Sequence, residues 1–122
     1  MPTTVMVITP LEPLREALES MLGTSGFSVI QGAANINQVR LFLNAQVNTP
    51  DVAIVDLCFP QKTITGFIQT LIDRRISVVF MGVEGENEEF ARRMGIPFLT
   101  KPFPKAALAA NIKVALGKQK RT

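Results

Sequence analysis

The sequence predicts a three-layer α/β sandwich, a parallel sheet between two layers of helices, and three observations carry that expectation. Five short apolar runs recur at nearly even intervals: Val5 to Ile8, Phe27 to Ile30, Val52 to Val55, Val78 to Met81 and Pro97 to Leu99. Each is followed by a segment with apolar residues at helical spacing. Val52 to Val55 and Val78 to Met81 are apolar without alternation, as strands are when helices cover both faces of a sheet.

Taken in order, each helical segment has its own stripe and its own stop. Leu14, Leu18, Met21 and Leu22 form the first, ended by Gly23 and Gly26. Val39, Phe42 and Leu43 form the second, behind a cap expected at Asn37. Pro50-Asp51 opens the third strand; Phe67, Ile68, Leu71 and Ile72 then make a third helix, with Gly66 at its opening. Phe90 and Met94 mark a fourth helix that Gly95 closes, and Pro104 starts a fifth in which Leu108, Ile112 and Leu116 share a face. No linker or further repeat breaks the pattern, so residues 1–122 are expected to form one domain.

Composition narrows the function. The 122 residues are 47% hydrophobic, enough for one buried core. The longest apolar stretches fall far short of a bilayer span, and the first residues lack the basic start and apolar run of a signal peptide, so a cytoplasmic location is expected. A single cysteine, Cys58, excludes an internal disulfide and a multi-cysteine metal site, and its role reads as structural. The complete lack of histidine excludes Ser-His-Asp and Cys-His nucleophiles, histidine-ligated zinc and histidine phosphotransfer. The formal charge of +3 leans on Lys113, Lys118, Lys120 and Arg121, cations suited to the negative end of a last helix. The remainder is nearly neutral, and neither nucleic acid nor a membrane is expected as a partner.

In an open parallel sheet ligands gather beyond the carboxyl ends of the strands. Here those ends are Thr9-Pro10, Asp56 to Pro60, Gly82-Val83 and Thr100 to Phe103. Asp56 closes an apolar strand where only a partner or solvent can stabilise its charge, and Lys101 is long enough to reach it, so an ion pair is expected. The pair could serve chemistry, or it could simply close the top of the sheet.

Two segments resemble a known family. Pro50-Asp51-Val52-Ala53-Ile54-Val55-Asp56-Leu57-Cys58-Phe59-Pro60 is similar to the phosphoacceptor strand of response-regulator receivers of the chemotaxis-regulator type, and Phe98-Leu99-Thr100-Lys101-Pro102-Phe103 to their lysine-proline turn. With Arg15 and Gly66 the resemblance spans nearly the whole chain. It implies a flavodoxin-like (βα)5 sandwich with strand order 2-1-3-4-5, Asp56 as phosphoacceptor and Lys101 as its phosphate-contact or ion-pair partner. It also implies magnesium held by an acidic pair after the first strand, by the phosphoacceptor and by the carbonyl two residues beyond it. The matching residues are Thr9 and Pro10, neither of them acidic, which leaves Asp56 and the Cys58 carbonyl as residual contacts, with Glu12 and Glu84 nearby in sequence. Gly82 stands where the family has a threonine or serine whose hydroxyl contacts the phosphoryl group, and Phe98 where a tyrosine is common.

These departures point to an atypical, or pseudo-, receiver: a signalling module of two-component type that acts by protein-protein interaction, with weak or absent aspartyl phosphorylation, no catalytic residues, no cofactor, and weak or absent magnesium binding. The expected partner is a signalling protein or histidine kinase. A partner or a second copy would dock on the face of the fourth helix, fifth strand and fifth helix, around Phe98, Phe103, Lys105 and Ala106. Gly85 to Gly95 looks short for the family, which would reshape that face. The main alternative is a working phosphoacceptor. A flavodoxin-like ligand site is a lesser one, since Pro10 and Pro13 donate no amide and Glu12 repels phosphate.

Overall fold

The computed structural model describes residues 2–30, 32–45 and 49–120, the last three as helix backbone only. Strands and helices alternate along the chain: β1 (Thr4–Ile8), α1 (Glu12–Thr24), β2 (Ser28–Val29), α2 (Ile36–Asn44), β3 (Val52–Asp56), α3 (Gln61–Asp73), β4 (Ser77–Gly82), α4 (Glu86–Met94), β5 (Phe98–Thr100) and α5 (Lys105–Lys120). The sheet has five strands in the order β2-β1-β3-β4-β5, every neighbouring pair parallel. This is the flavodoxin-like α/β sandwich that the strand-helix alternation and the resemblance imply.

Period-two geometry divides each inner strand between two cores. Met6, Ile8, Ala53, Val55, Val78 and Phe80 pack with α2, α3 and α4, where Phe80 and Phe90 stack at 5.7 Å. Val5, Val7, Val52, Ile54, Val79 and Met81 pack with α1 and α5 through Leu18, Leu22, Leu108 and Ile112. All five residues of β3 and all six of β4 are buried, which explains the unbroken apolar runs Val52 to Val55 and Val78 to Met81 within them.

Several local expectations need correction. The cap of α2 is Asn35, not Asn37: Asn35 is extended at φ −156° and its side chain accepts the amide of Gln38, whose own side chain accepts the amide of Ala34. Asn37 already lies inside the helix and is exposed. Gly66 sits in the middle of α3, whose opening belongs to Pro60, and Ile72 is 45% exposed while Ile64 takes its place in the core. Gly23 is still helical, and the turn beyond is made by Gly26 at φ 91°. The second apolar run yields only a two-residue strand, Ser28–Val29, because pairing with β1 is interrupted at this edge. Gly95 and Pro104 do mark helix ends as expected, Gly95 at φ 71° and Pro104 with its carbonyl accepting from Ala107 and Leu108. Of the C-terminal cations, Lys113 is exposed on α5; the side chains of Lys118 and Lys120, and Arg121, lie outside the described residues. Among the described residues no helix is long and apolar enough to cross a membrane.

Candidate functional site

The ends of β1, β3 and β5 converge on one carboxylate. Asp56 is the last residue of β3 and only 1% exposed. Its Oδ2 accepts two hydrogen bonds, from Thr9 Oγ1 at 2.8 Å and from Lys101 Nζ at 2.9 Å, and its Oδ1 accepts the amide of Cys58 at 3.2 Å. Burying a charge this deeply requires a counter-charge and hydrogen bonds together, and the site supplies both. Lys101 is positioned by its backbone, whose amide bonds the Gly82 carbonyl at 2.8 Å; its bond to Pro102 is cis.

Thr9 is held from every side. It is fully buried, its amide bonds the Ala33 carbonyl at 3.0 Å, its hydroxyl accepts the Leu11 amide at 3.2 Å, and its carbonyl accepts from Arg15 Nη1 at 2.7 Å. Arg15 reaches back from α1 across Gly32, where a Cβ would lie 2.7 Å from Arg15 Cδ and 2.8 Å from Glu19 Oε2. The sequence placed Thr9 at this site as a missing acid; it enters instead as a donor. Nothing in its neighbourhood in the chain announces that, because its acceptor is 47 residues away. Arg15 carried a signal in its position on α1 but not in its contact.

The other candidates spread outward. Pro10, Glu12 and Glu84 are exposed at the rim, and no hydrogen bond joins either glutamate to Asp56. Phe98 is half-buried against the layer of α2, α3 and α4. Gly82 is buried with the Asn87 side chain against it, a residue that sequence reasoning passed over. Cys58 is exposed, but partial burial first, and then the charge and hydrogen bond of Asp56, push its thiol above the ordinary value against the opposing pull of Lys101. A thiol held protonated at neutral pH is a poor nucleophile, consistent with a structural role.

No family model matches the sequence, and no curated protein compared with it does either. Solved structures do. A response regulator receiver protein from Burkholderia phymatum superposes with a TM-score of 0.81 at 20% identity, over 94% of this chain and 95% of that one. The fold is that of the response-regulator receivers. A receiver domain protein (CheY-like) from Methanospirillum hungatei JF-1 gives 0.77 at 17% identity over 99% and 98% of the two chains, and the signal receiver domain of an HD domain-containing protein from Pseudomonas fluorescens Pf-5 gives 0.79 at 15% identity over the full length of both.

The receiver fold raises the question of magnesium, and the donor set does not fit it. Magnesium asks for near-octahedral oxygen ligands, several of them anionic. Around Asp56 the neighbouring groups are a hydroxyl that gives its proton to the carboxylate, an ammonium on the same oxygen, and a backbone amide on the other. Among the described residues no group of three histidine, cysteine, aspartate or glutamate side chains could hold a metal ion. The site compensates one carboxylate with the protein's own donors.

Proposed function

We propose that the chain is a single receiver-like domain of two-component-type signalling, atypical in that it works through protein-protein contact with weak or absent phosphorylation of Asp56, and that it is not an enzyme. The observation that supports this reading is the double occupancy of Asp56 Oδ2 by Thr9 and Lys101. That oxygen is already engaged by two donors, and a metal that would ease the approach of a second anion has too few ligands here. The protein needs no cofactor in this role. Its partner is a signalling protein, docked over α4, β5 and α5, where Lys105 and Ala106 are exposed beside half-buried Phe98 and Phe103.

One observation favours a working phosphoacceptor: the amide hydrogen bond to Oδ1, from Cys58 at 3.2 Å, is longer than the two to Oδ2, which leaves Oδ1 the better placed oxygen for attack on a phosphorus atom, with departure of the donor's leaving group. The two readings separate in one experiment. The purified protein is offered a small phosphodonor with magnesium, and intact mass and amide chemical shifts are followed beside an Asp56→Asn control. The atypical reading expects no mass gain; a stable, Asp56-dependent gain with shifts extending to Phe98 would sink it. A companion variant tests the cause: Thr9→Asp with Pro10→Asp should create magnesium affinity measurable by titration, and no binding would show that the missing acids are not the defect.

A further inference from the structure

At the rim of the site, a side chain from α4 occupies the space above a β4 residue that has none. A Cβ on buried Gly82 would lie 2.5 Å from Asn87 Oδ1 and 2.9 Å from its Cγ, so the carboxamide rests directly on the glycine. Two local features bring it there. Gly85 turns the chain at φ 97°, a backbone that residues with a Cβ avoid. Asn87 then sits in the first turn of α4, where side chains lean back past the helix start. Its Oδ1 accepts the amide of Val83 at 3.0 Å, and its Nδ2 faces the carbonyl of Leu57, the residue after Asp56, at a longer 3.5 Å. Leu57 and β4 are themselves joined, the Leu57 amide bonding the Met81 carbonyl at 2.9 Å. One side chain therefore touches the exits of both β3 and β4 from the start of the helix.

We propose that Asn87 is a positioning residue that straps the first turn of α4 to the ends of β3 and β4, that glycine at 82 is the condition for seating it, and that the strap carries changes at Asp56 to α4. The strap rests on contacts within the chain and holds whether or not Asp56 is ever phosphorylated. It also makes Gly82 and Asn87 a matched pair: a hydroxyl-bearing residue placed at 82 alone would meet the carboxamide before it met any ligand.

Amide exchange and chemical shifts on the full chain test this. In Asn87→Ala the Val83 amide should exchange about tenfold faster, the scale of one lost hydrogen bond. Asn87→Asp keeps an acceptor for Val83 and should hold its protection, while releasing the Leu57 carbonyl; this variant carries the test if the alanine destabilises α4 as a whole. Gly82→Ala should evict the carboxamide and reproduce the Asn87→Ala exchange, with the double variant no faster than either single one. The readout specific to coupling is Asp56→Asn: its shifts should spread through Glu86 to Met94 in the parent and stop at Leu57 in the Asn87→Ala background. Unchanged Val83 exchange in Asn87→Ala, or effects of Gly82→Ala and Asn87→Ala that multiply independently, would overturn the strap. Shifts reaching α4 undiminished without Asn87 would overturn its role as the carrier.

Discussion

The two ends of β3 carry the same pair of residue types in two different environments. At its start, Asp51 Oδ2 accepts from the Thr4 amide at 2.9 Å and from the Thr4 hydroxyl at 3.2 Å, and the Asp51 amide bonds back to that hydroxyl at 2.9 Å. At its end, Asp56 accepts from Thr9 at 2.8 Å. Both pairs join β1 to β3 across 47 residues. Asp51 is exposed and, among the described residues, no salt bridge joins it to a cation, whereas Asp56 is buried and shares its oxygen with Lys101. A threonine satisfies an aspartate that water also reaches. Where water is excluded, the threonine is not sufficient and the fold must send a lysine from β5.

The comparison breaks most visibly if the lysine is removed. Lys101→Met leaves an uncompensated buried carboxylate and should cost about 3 kcal/mol in chemical denaturation, or roughly 10 °C in Tm. Adding Asp56→Asn to it should recover most of that loss, since the penalty belongs to the orphaned charge; a double variant as unstable as Lys101→Met alone would contradict the account. The threonines give a direct ranking. Thr9→Val removes a hydrogen bond to a buried charge with little change of shape and should cost about 1.5–2 kcal/mol, while Thr4→Val at the exposed end should cost about 0.5 kcal/mol. Equal losses at the two ends would show that burial is not what distinguishes them.

The smallest effect reads the charges around Asp56 through a neighbouring thiol. Cys58 ionises above its ordinary value of 9.0, raised by burial and then by Asp56, and lowered by Lys101. Because the thiolate is the reacting form, the alkylation rate of Cys58 should rise with pH to a midpoint above that of a free thiol. Removing the negative neighbour in Asp56→Asn should move the midpoint down, and removing the positive one in Lys101→Met should move it up. Identical profiles in all three proteins would mean that the thiol does not sense the pair.

Much of this was legible in the chain, for physical reasons. Unbroken apolar runs such as Val78 to Met81 can only be strands covered on both faces, and Asp56 at the end of one advertises a charge in need of a partner, which made Lys101 findable. Thr9 was read for the carboxylate it lacks, since a hydroxyl's direction depends on tertiary neighbours. Asn87 was missed because its seat is created by a missing side chain at Gly82 and a left-handed turn at Gly85, a conjunction that no periodicity reports. Asn35 and Asn37 are equally good capping residues by type; Asn35 takes the role because its backbone is extended and its side chain meets the Gln38 amide, while Asn37 is already within the helix.

The sheet's two outer strands have only two and three residues, against five or six in the three inner ones. An edge that short exposes little unpaired backbone for another chain to continue as an added strand, which protects the protein from stacking edge to edge into aggregates. It also restricts how the protein can be recognised. Strand addition would find little template here, so on the proposed reading a partner would be recognised by side chains that the helices and connecting loops present, and a substitution on those surfaces would alter that recognition without disturbing the sheet.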